Sequence, residues 1–376
     1  MDFDFLSCWR YSVGMDTLTQ GLLGAATAQL GFRQKLGRET TFVAAAIGIV
    51  PDLDMLVYPI LRLFGSPIDE FTRLTIHRGL SHSLLFLPLL AIPLAVLWYR
   101  LRRWRDTKND RMTPRFLLYY LCVAVALVTH PLLDLFTVYG TQLFAPITDA
   151  RYALDAVPII DMIYTPILIA TLFVCLLLRL IKADARRATL VAGWAGMLLA
   201  TGYLFVGLWM HDRAICCARE RLAAVDTVAE ARYEAYPQFG SIFVWRVVRR
   251  TPAEWTAMRV MPVSDPKIEW MALSTVREDD NEWVRRAREM PEIKRFNWFA
   301  DDTLRAEYRL VDGQHVVTFY DMRYALQADS VDSLWGARVV FDADGEMIHV
   351  ARVRSYGQGS LQEFAKRLWR NFLDDK

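Results

Sequence analysis

Four short motifs in the first half of the chain hold most of its groups that can do chemistry: Asp52 and Asp54 in PDLD, His77 and His82 in HRGLSH, His130 and Asp134 in THPLLD, and Asp155 and Asp161 in LDAVPIID. Imidazole and carboxylate together form a donor set for a borderline divalent cation, zinc first, with manganese or iron as alternatives. His130 and Asp134 are four residues apart, so one helical face presents both. His77 and His82 are five apart, about 140° around a helix. They converge if His77 lies in a preceding loop and Ser81 caps a helix starting near His82. Asp52 and Asp54 diverge on an ideal helix. Pro51 disturbs that helix, so either both turn inward or one of them orients a ligating histidine instead. The expected ligands are Asp52, Asp54, His77, His82, His130 and Asp134, for one or two ions. Asp155 or Asp161 is the expected general base or a support for the ligands. Arg78 and Arg151 flank the motifs as binders of an anionic group such as phosphate, or as partners of the surplus carboxylates. His211, His315 and His349 lack acidic or cysteine partners at useful spacing and read as structural.

The elements that must position these groups are apolar. Runs at roughly 41–64, 83–99, 116–137, 162–181 and 189–210, preceded by the Gly/Ala-rich stretch 17–31, predict about six membrane-embedded segments. Small residues in 17–31 allow close helix packing in lipid. An ionisable side chain at the centre of a membrane helix costs roughly 2.5–3.5 kcal/mol even on insertion scales, so a concentration of them is a functional signal. Basic clusters at Arg33, Lys35 and Arg38, across 100–115, and at Arg179, Lys182, Arg186 and Arg187 fall on one side of a six-segment chain, the cytoplasmic side by charge bias. All four motifs, with Asp16 and Gln20 at the start of the first segment, then lie toward the outer side.

From about residue 212 the pattern changes to that of a soluble α+β domain. SIFVWRVVRR, EYRLVDGQHVVTFYDMRY and ARVVFDADGEMIHVARVR alternate like strands, with hairpin turns at Asp312–Gly313 and Asp344–Gly345. Helices are expected around 217–233 and 360–373, and FNWFADD reads as core. The expected division is an N-terminal tail 1–14, a membrane-embedded domain 15–211 and an extracytoplasmic domain 212–376. A net charge of +2 gives no case for nucleic-acid binding. The cysteines show neither metal-ligand spacing nor a disulfide framework, and the N-terminus, with Asp2 and Asp4, is not a signal peptide, so Met15 is an alternative start.

At HRGLSHSLLF, PDLD, THPLLDLFTVYGTQLFAP and ALDAVPIIDMIYT the sequence resembles the YdjM-like family of membrane-bound metal-dependent hydrolases, over about residues 15–210. The opening MDTLTQGLLGA is similar to the usual start of such proteins, although some relatives carry His where this chain has Gln20. The stretch with FYDMRY and WGARVVFDADGE resembles the companion domain of one subgroup. The resemblance implies a metal-dependent hydrolase of the bacterial inner membrane, distantly similar to zinc-dependent phospholipase C and nuclease folds. The expected activity is hydrolysis of a phosphoester or lipid headgroup, with membrane lipids as partners. The rivals are an ion- or proton-coupled transporter and a non-catalytic membrane receptor using the same carboxylates.

Overall fold

Glycine and alanine set the first helix pair. Helix α1 (Asp16–Thr27) crosses α3 (Thr40–Ile49) so closely that a Cβ on Gly24 would lie 2.3 Å from the Ala44 carbonyl oxygen, and one on Gly48 2.7 Å from that of Gln20. In lipid, small residues permit this approach and dispersion holds it. The computed structural model describes residues 16–65, 68–109, 112–181, 184–222, 230–263 and 273–354. Two units divide the chain: Met1–Pro59 with Ile76–Leu154 and Ile159–Val206, and Ile60–Thr75 with Asp155–Pro158 and Gly207–Lys376.

In the first unit, α1 runs through a π-helical turn (Ala28–Phe32) into α2 (Arg33–Leu36). Helix α3 tightens into a 3-10 turn (Val50–Leu56) because Pro51 removes a backbone donor, and resumes as α4 (Val57–Leu63). After α5 (Glu70–Ile76), which belongs to the second unit up to Thr75, and a 3-10 turn (Leu80–His82) come α6 (Leu87–Lys108), α7 (Phe116–Leu135), α8 (Tyr164–Ile181) and α9 (Arg186–Leu222), whose residues from Gly207 belong to the second unit. Among the described residues four helices are long and apolar enough to cross a membrane: Thr40–Leu61, Phe116–Leu135, Tyr164–Ile181 and Arg186–Leu222. The number rises to five if Glu70–His82 and Leu87–Lys108, bent by 64°, form one broken span. The expectation of about six segments is therefore met only in part. The segment 17–31 does not form a continuous long helix, since α1 has 12 residues and Gly31 sits at φ 119° just beyond it. The core of the unit is small-residue helix packing, with Ala28, Ala44, Ala91, Ala95 and Ala126 buried around Tyr119 and Leu127.

The basic clusters meet at one end of this unit. Arg102 and Arg105 bind Glu39, Arg102 also binds Asp106 at 2.9 Å, Arg179 donates to Gln29, and Gln34 donates to the Arg186 carbonyl. Asp52, His82 and His130 belong to the opposite ends of the same helices.

The second unit holds two four-stranded antiparallel meanders. One runs β1 (Arg232–Pro237), β2 (Trp245–Arg250), β3 (Glu254–Val260), β4 (Leu273–Arg277); the other β5 (Leu304–Val311), β6 (Gln314–Asp321), β7 (Trp335–Phe341), β8 (Met347–Arg354). Between them lie α10 (Glu282–Arg288) and α11 (Pro291–Phe299). The expected Asp312–Gly313 turn closes β5 on β6, both residues at positive φ (51° and 78°), as a two-residue hairpin loop of this kind requires. Gly345, at φ 88°, turns β7 into β8. Phe296 and Phe299 of the FNWFADD stretch are fully buried, as core. Helix α5 packs within this unit: Phe71 meets Phe296 edge-on, and Asp69 pairs with Arg295 at 3.1 Å. The tail 1–14, the region 360–373 and residues 223–229 of the expected helix 217–233 lie outside the described residues.

Candidate metal centre

His130 stands one and a half turns before the end of α7, fully buried. Its Nδ1 donates to the Gly48 carbonyl at 2.6 Å. His82, also fully buried, ends the Leu80–His82 turn, and its Nδ1 lies 2.9 Å from Ser81 Oγ. The Ser81 hydroxyl gives its proton to Asp54 Oδ2 at 2.7 Å, so it accepts from His82 Nδ1. Both imidazoles thus carry their proton on Nδ1 when neutral. Their Nε2 lone pairs then face one another at 3.1 Å, an arrangement that demands a cation or a proton between them.

Carboxylates close around the pair. Asp52 Oδ1 is 3.6 Å from His82 Nε2 and 3.3 Å from His130 Nε2. Asp134 Oδ2 is 3.3 Å and 3.5 Å from the same two nitrogens. Asp52, His82 and His130 offer ligand atoms all within 4.8 Å of one another. In a tetrahedral zinc site with bonds of roughly 2.0–2.1 Å, neighbouring donors sit about 3.3–3.4 Å apart. The Asp52–His82–His130 triangle, with edges of 3.1–3.6 Å, has the size of one face of such a site.

The other oxygen of each carboxylate is held by the protein. Asp52 Oδ2 accepts from Thr17 Oγ1 at 3.1 Å. Asp134 Oδ1 accepts from Gln20 Nε2 at 2.9 Å and pairs with Arg78 Nη2 at 3.2 Å. Asp134 Oδ2, by contrast, is fully buried and has no hydrogen-bond partner among the described residues. An ionised oxygen left so would be costly. A buried oxygen with no donor, beside two lone pairs, has the chemistry of a metal ligand, and the residues present fit a divalent cation.

The structure distributes the remaining sequence candidates differently. Asp54 and His77 bind each other, Oδ1 to Nδ1 at 2.9 Å, and Asp54 also accepts from the Arg78 backbone amide. Asp54 therefore orients His82 through Ser81, the second of the two options its spacing left open. Ser81 does not cap a helix starting near His82. Helix α6 begins only at Leu87, and Ser83 Oγ instead accepts from the Leu85 amide. Arg78 is buried and adopts a left-handed φ of 58°. Its guanidinium contacts Asp134, Thr137 Oγ1 and the Tyr139 ring. Arg151 stacks against that ring from 5.3 Å. Asp161 caps α8: Oδ1 accepts from the Ile163 and Tyr164 amides and Oδ2 from the Tyr203 hydroxyl. Burial pushes its carboxyl above the ordinary range, against these hydrogen bonds. Asp155 falls in the second unit, where its charge helps raise the Tyr236 phenol, already pushed up by burial. Neither Asp155 nor Asp161 touches the imidazole pair in the described contacts. His315 stacks on Trp283, and His211 pairs with Asp212.

Three contributors were not singled out from sequence. Thr17, the Gly48 carbonyl and Thr137 each anchor a site residue. Thr17 and Gln20 are three apart on α1, so their shared face toward the carboxylates was the one available signal.

A family model described as YdjM inner membrane protein matches residues 15–214, which include every residue of the centre. The chain belongs to that family. No curated protein and no solved structure matches it.

Proposed function

We propose that this inner-membrane protein is a metal-dependent hydrolase whose centre is held by Asp52, His82, His130 and Asp134. The observation that carries the reading is the buried pair of Nε2 atoms with a donor-less Asp134 oxygen beside them. Histidine and carboxylate donors favour zinc, with manganese or iron as alternatives. Asp54 and His77 occupy each other, which favours one ion over two. When bound, a divalent cation there supplies Lewis acidity and lowers the pKa of water to about 7. The chain does the rest. Gly48 and Ser81–Asp54 fix the two imidazole tautomers, Thr17 and Gln20 aim the carboxylates, and Arg78 pairs with Asp134. His77, the most exposed imidazole of the group at 17% of its side chain, is placed to hold or pass a proton, with Asp54 setting its orientation. A phosphoester is the substrate class that fits a cation with the Arg78 guanidinium beside it, paired to Asp134.

The charge bias of the basic end supports a cytoplasmic location for that end and an extracytoplasmic one for the centre and the second unit. Reporter fusions at Lys108 and Gly345 should give opposite compartment signals; cytoplasmic activity at Gly345 would reverse the orientation. The function itself is tested by elemental analysis of purified protein with hydrolysis of bis(p-nitrophenyl) phosphate. Near-stoichiometric metal and a rate lost in His130→Ala are expected. Absence of metal after supplementation would sink the hydrolase reading and favour an ion pathway through the same carboxylates.

A further inference from the structure

The centre lies deep along its helices. Asp52 is twelve residues into the span Thr40–Leu61, and His130 fourteen into Phe116–Leu135. At roughly 1.5 Å per residue both sit about 20 Å from the basic end of their helix. With a ~30 Å hydrocarbon core beginning at that basic end, the donors lie past its midplane and about 10 Å short of its far edge.

The surface beside the donors suits that depth. On the stretch 50–57, which carries Asp52 and Asp54, the exposed residues are Leu53, Leu56 and Val57, at 49%, 44% and 37%. On 79–90, which carries Ser81 and His82, they are Leu80, Leu85 and Leu89, at 47%, 43% and 62%. No polar side chain is exposed on either stretch. The two 3-10 turns also pack against each other. The cluster is not sealed. Asp52 and His77 keep 9% and 17% side-chain exposure, whereas His82, His130 and Asp134 keep 1% or less.

A water-borne substrate would have to bring its phosphate about 10 Å below the bilayer edge past leucines. A lipid already has its chains there. We propose that the ligand of this centre is a long-chain lipid phosphoester that reaches the donors sideways from the outer leaflet. Its chain lies against Leu53, Leu56, Leu80 and Leu85, and its phosphate turns inward to the cation. The inference rests on the metal reading above. Its own content is the lateral route and the acyl-chain requirement.

Cobalt-loaded protein in phosphatidylcholine nanodiscs tests it through the visible spectrum of the metal, without turnover. Hexadecyl phosphate should perturb the spectrum at a concentration at least about 100-fold below that needed for butyl phosphate or inorganic phosphate. Leu56→Gln and Leu85→Gln together should raise the hexadecyl phosphate requirement at least tenfold, with cobalt stoichiometry and the unliganded spectrum unchanged. Either single replacement serves if the pair fails to fold. The same replacements should not alter the response to inorganic phosphate, which separates a chain-binding surface from general partitioning into the disc. Equal potency of the three probes, or indifference of hexadecyl phosphate to the leucine replacements, overturns lateral access while leaving the metal centre standing. Failure of the wild type to bind cobalt overturns the metal reading itself, and the lateral route with it.

Discussion

The two ends of the helical unit handle buried acid in opposite ways. At the basic end Glu39 and Asp106 are met by Arg102 and Arg105, side chains that carry their charge at every pH. Acid and base balance there without help. At the other end Asp52, Asp54 and Asp134 face one buried guanidinium, Arg78, and three imidazoles. With neutral imidazoles two negative charges remain, the amount that one divalent cation offsets. Helix geometry differs in parallel. The basic end places its irregular backbone, a π-helical turn and Gly37, on glycines at positive φ, whereas the other end is built from two 3-10 turns and a left-handed Arg78 that is not a glycine. Irregular backbone at membrane depth is tolerated where protein buries it, and it recurs where strain serves function.

The contrast is open to direct attack. The largest effect should come from His130→Ala or Asp52→Ala, which remove donors. Metal affinity measured by competition with a chelating dye should fall by more than the roughly 10–100-fold expected for a supporting residue. Retention of wild-type metal by both variants would place the ion elsewhere. Arg78→Leu should follow. It leaves Asp134 buried without its cation and should destabilise the metal-free protein by about 3–5 kcal/mol in denaturant titrations, with added metal recovering part of the loss. Gly48→Ala puts a methyl into the Gln20 carbonyl and should cost about 1–3 kcal/mol while shifting the carbonyl that holds His130. Ser81→Ala cuts the link from Asp54 to His82 and should weaken metal binding about tenfold, with little change in metal-free stability. Glu39→Gln, at the self-balanced end, should cost under about 1 kcal/mol and leave metal content alone. A large loss of metal in that last variant would erase the distinction between the ends.

Much of this was legible in residue order. Apolar runs and the Pro51 break marked the helices. The i, i+4 spacing of His130 and Asp134 placed both on one face, and the structure has His130 Nε2 3.5 Å from Asp134 Oδ2. The two hairpin turns were readable because Asp-Gly at positive φ has few other uses. What escaped depended on side-chain choices that spacing does not encode. Asp54 turns to His77 and Ser81 because the 3-10 turn rotates it about 240° from Asp52, and no periodicity rule chooses which of the two points at the imidazoles. Asp161 reads in sequence like another acid beside the cluster, yet two backbone amides claim it as a helix cap. The sixth segment was not met among the described residues because Gly31 reads as a small packing residue and acts as a bend.

The hydrogen bond from His130 to the Gly48 carbonyl joins residues 82 apart in the chain. At about 5–20 residues per second, roughly 4–16 s of synthesis separate the two. During that interval α1 and α3 are available to pair through their glycines and His82 joins Asp52, but Asp52 lacks the second imidazole and Gln20 has no Asp134. Completion of the Asp52–His82–His130 cluster is therefore a late event of membrane insertion. It waits for α7 to arrive, and the first helix pair must hold its carboxylate in the translocon or the lipid without His130 until then.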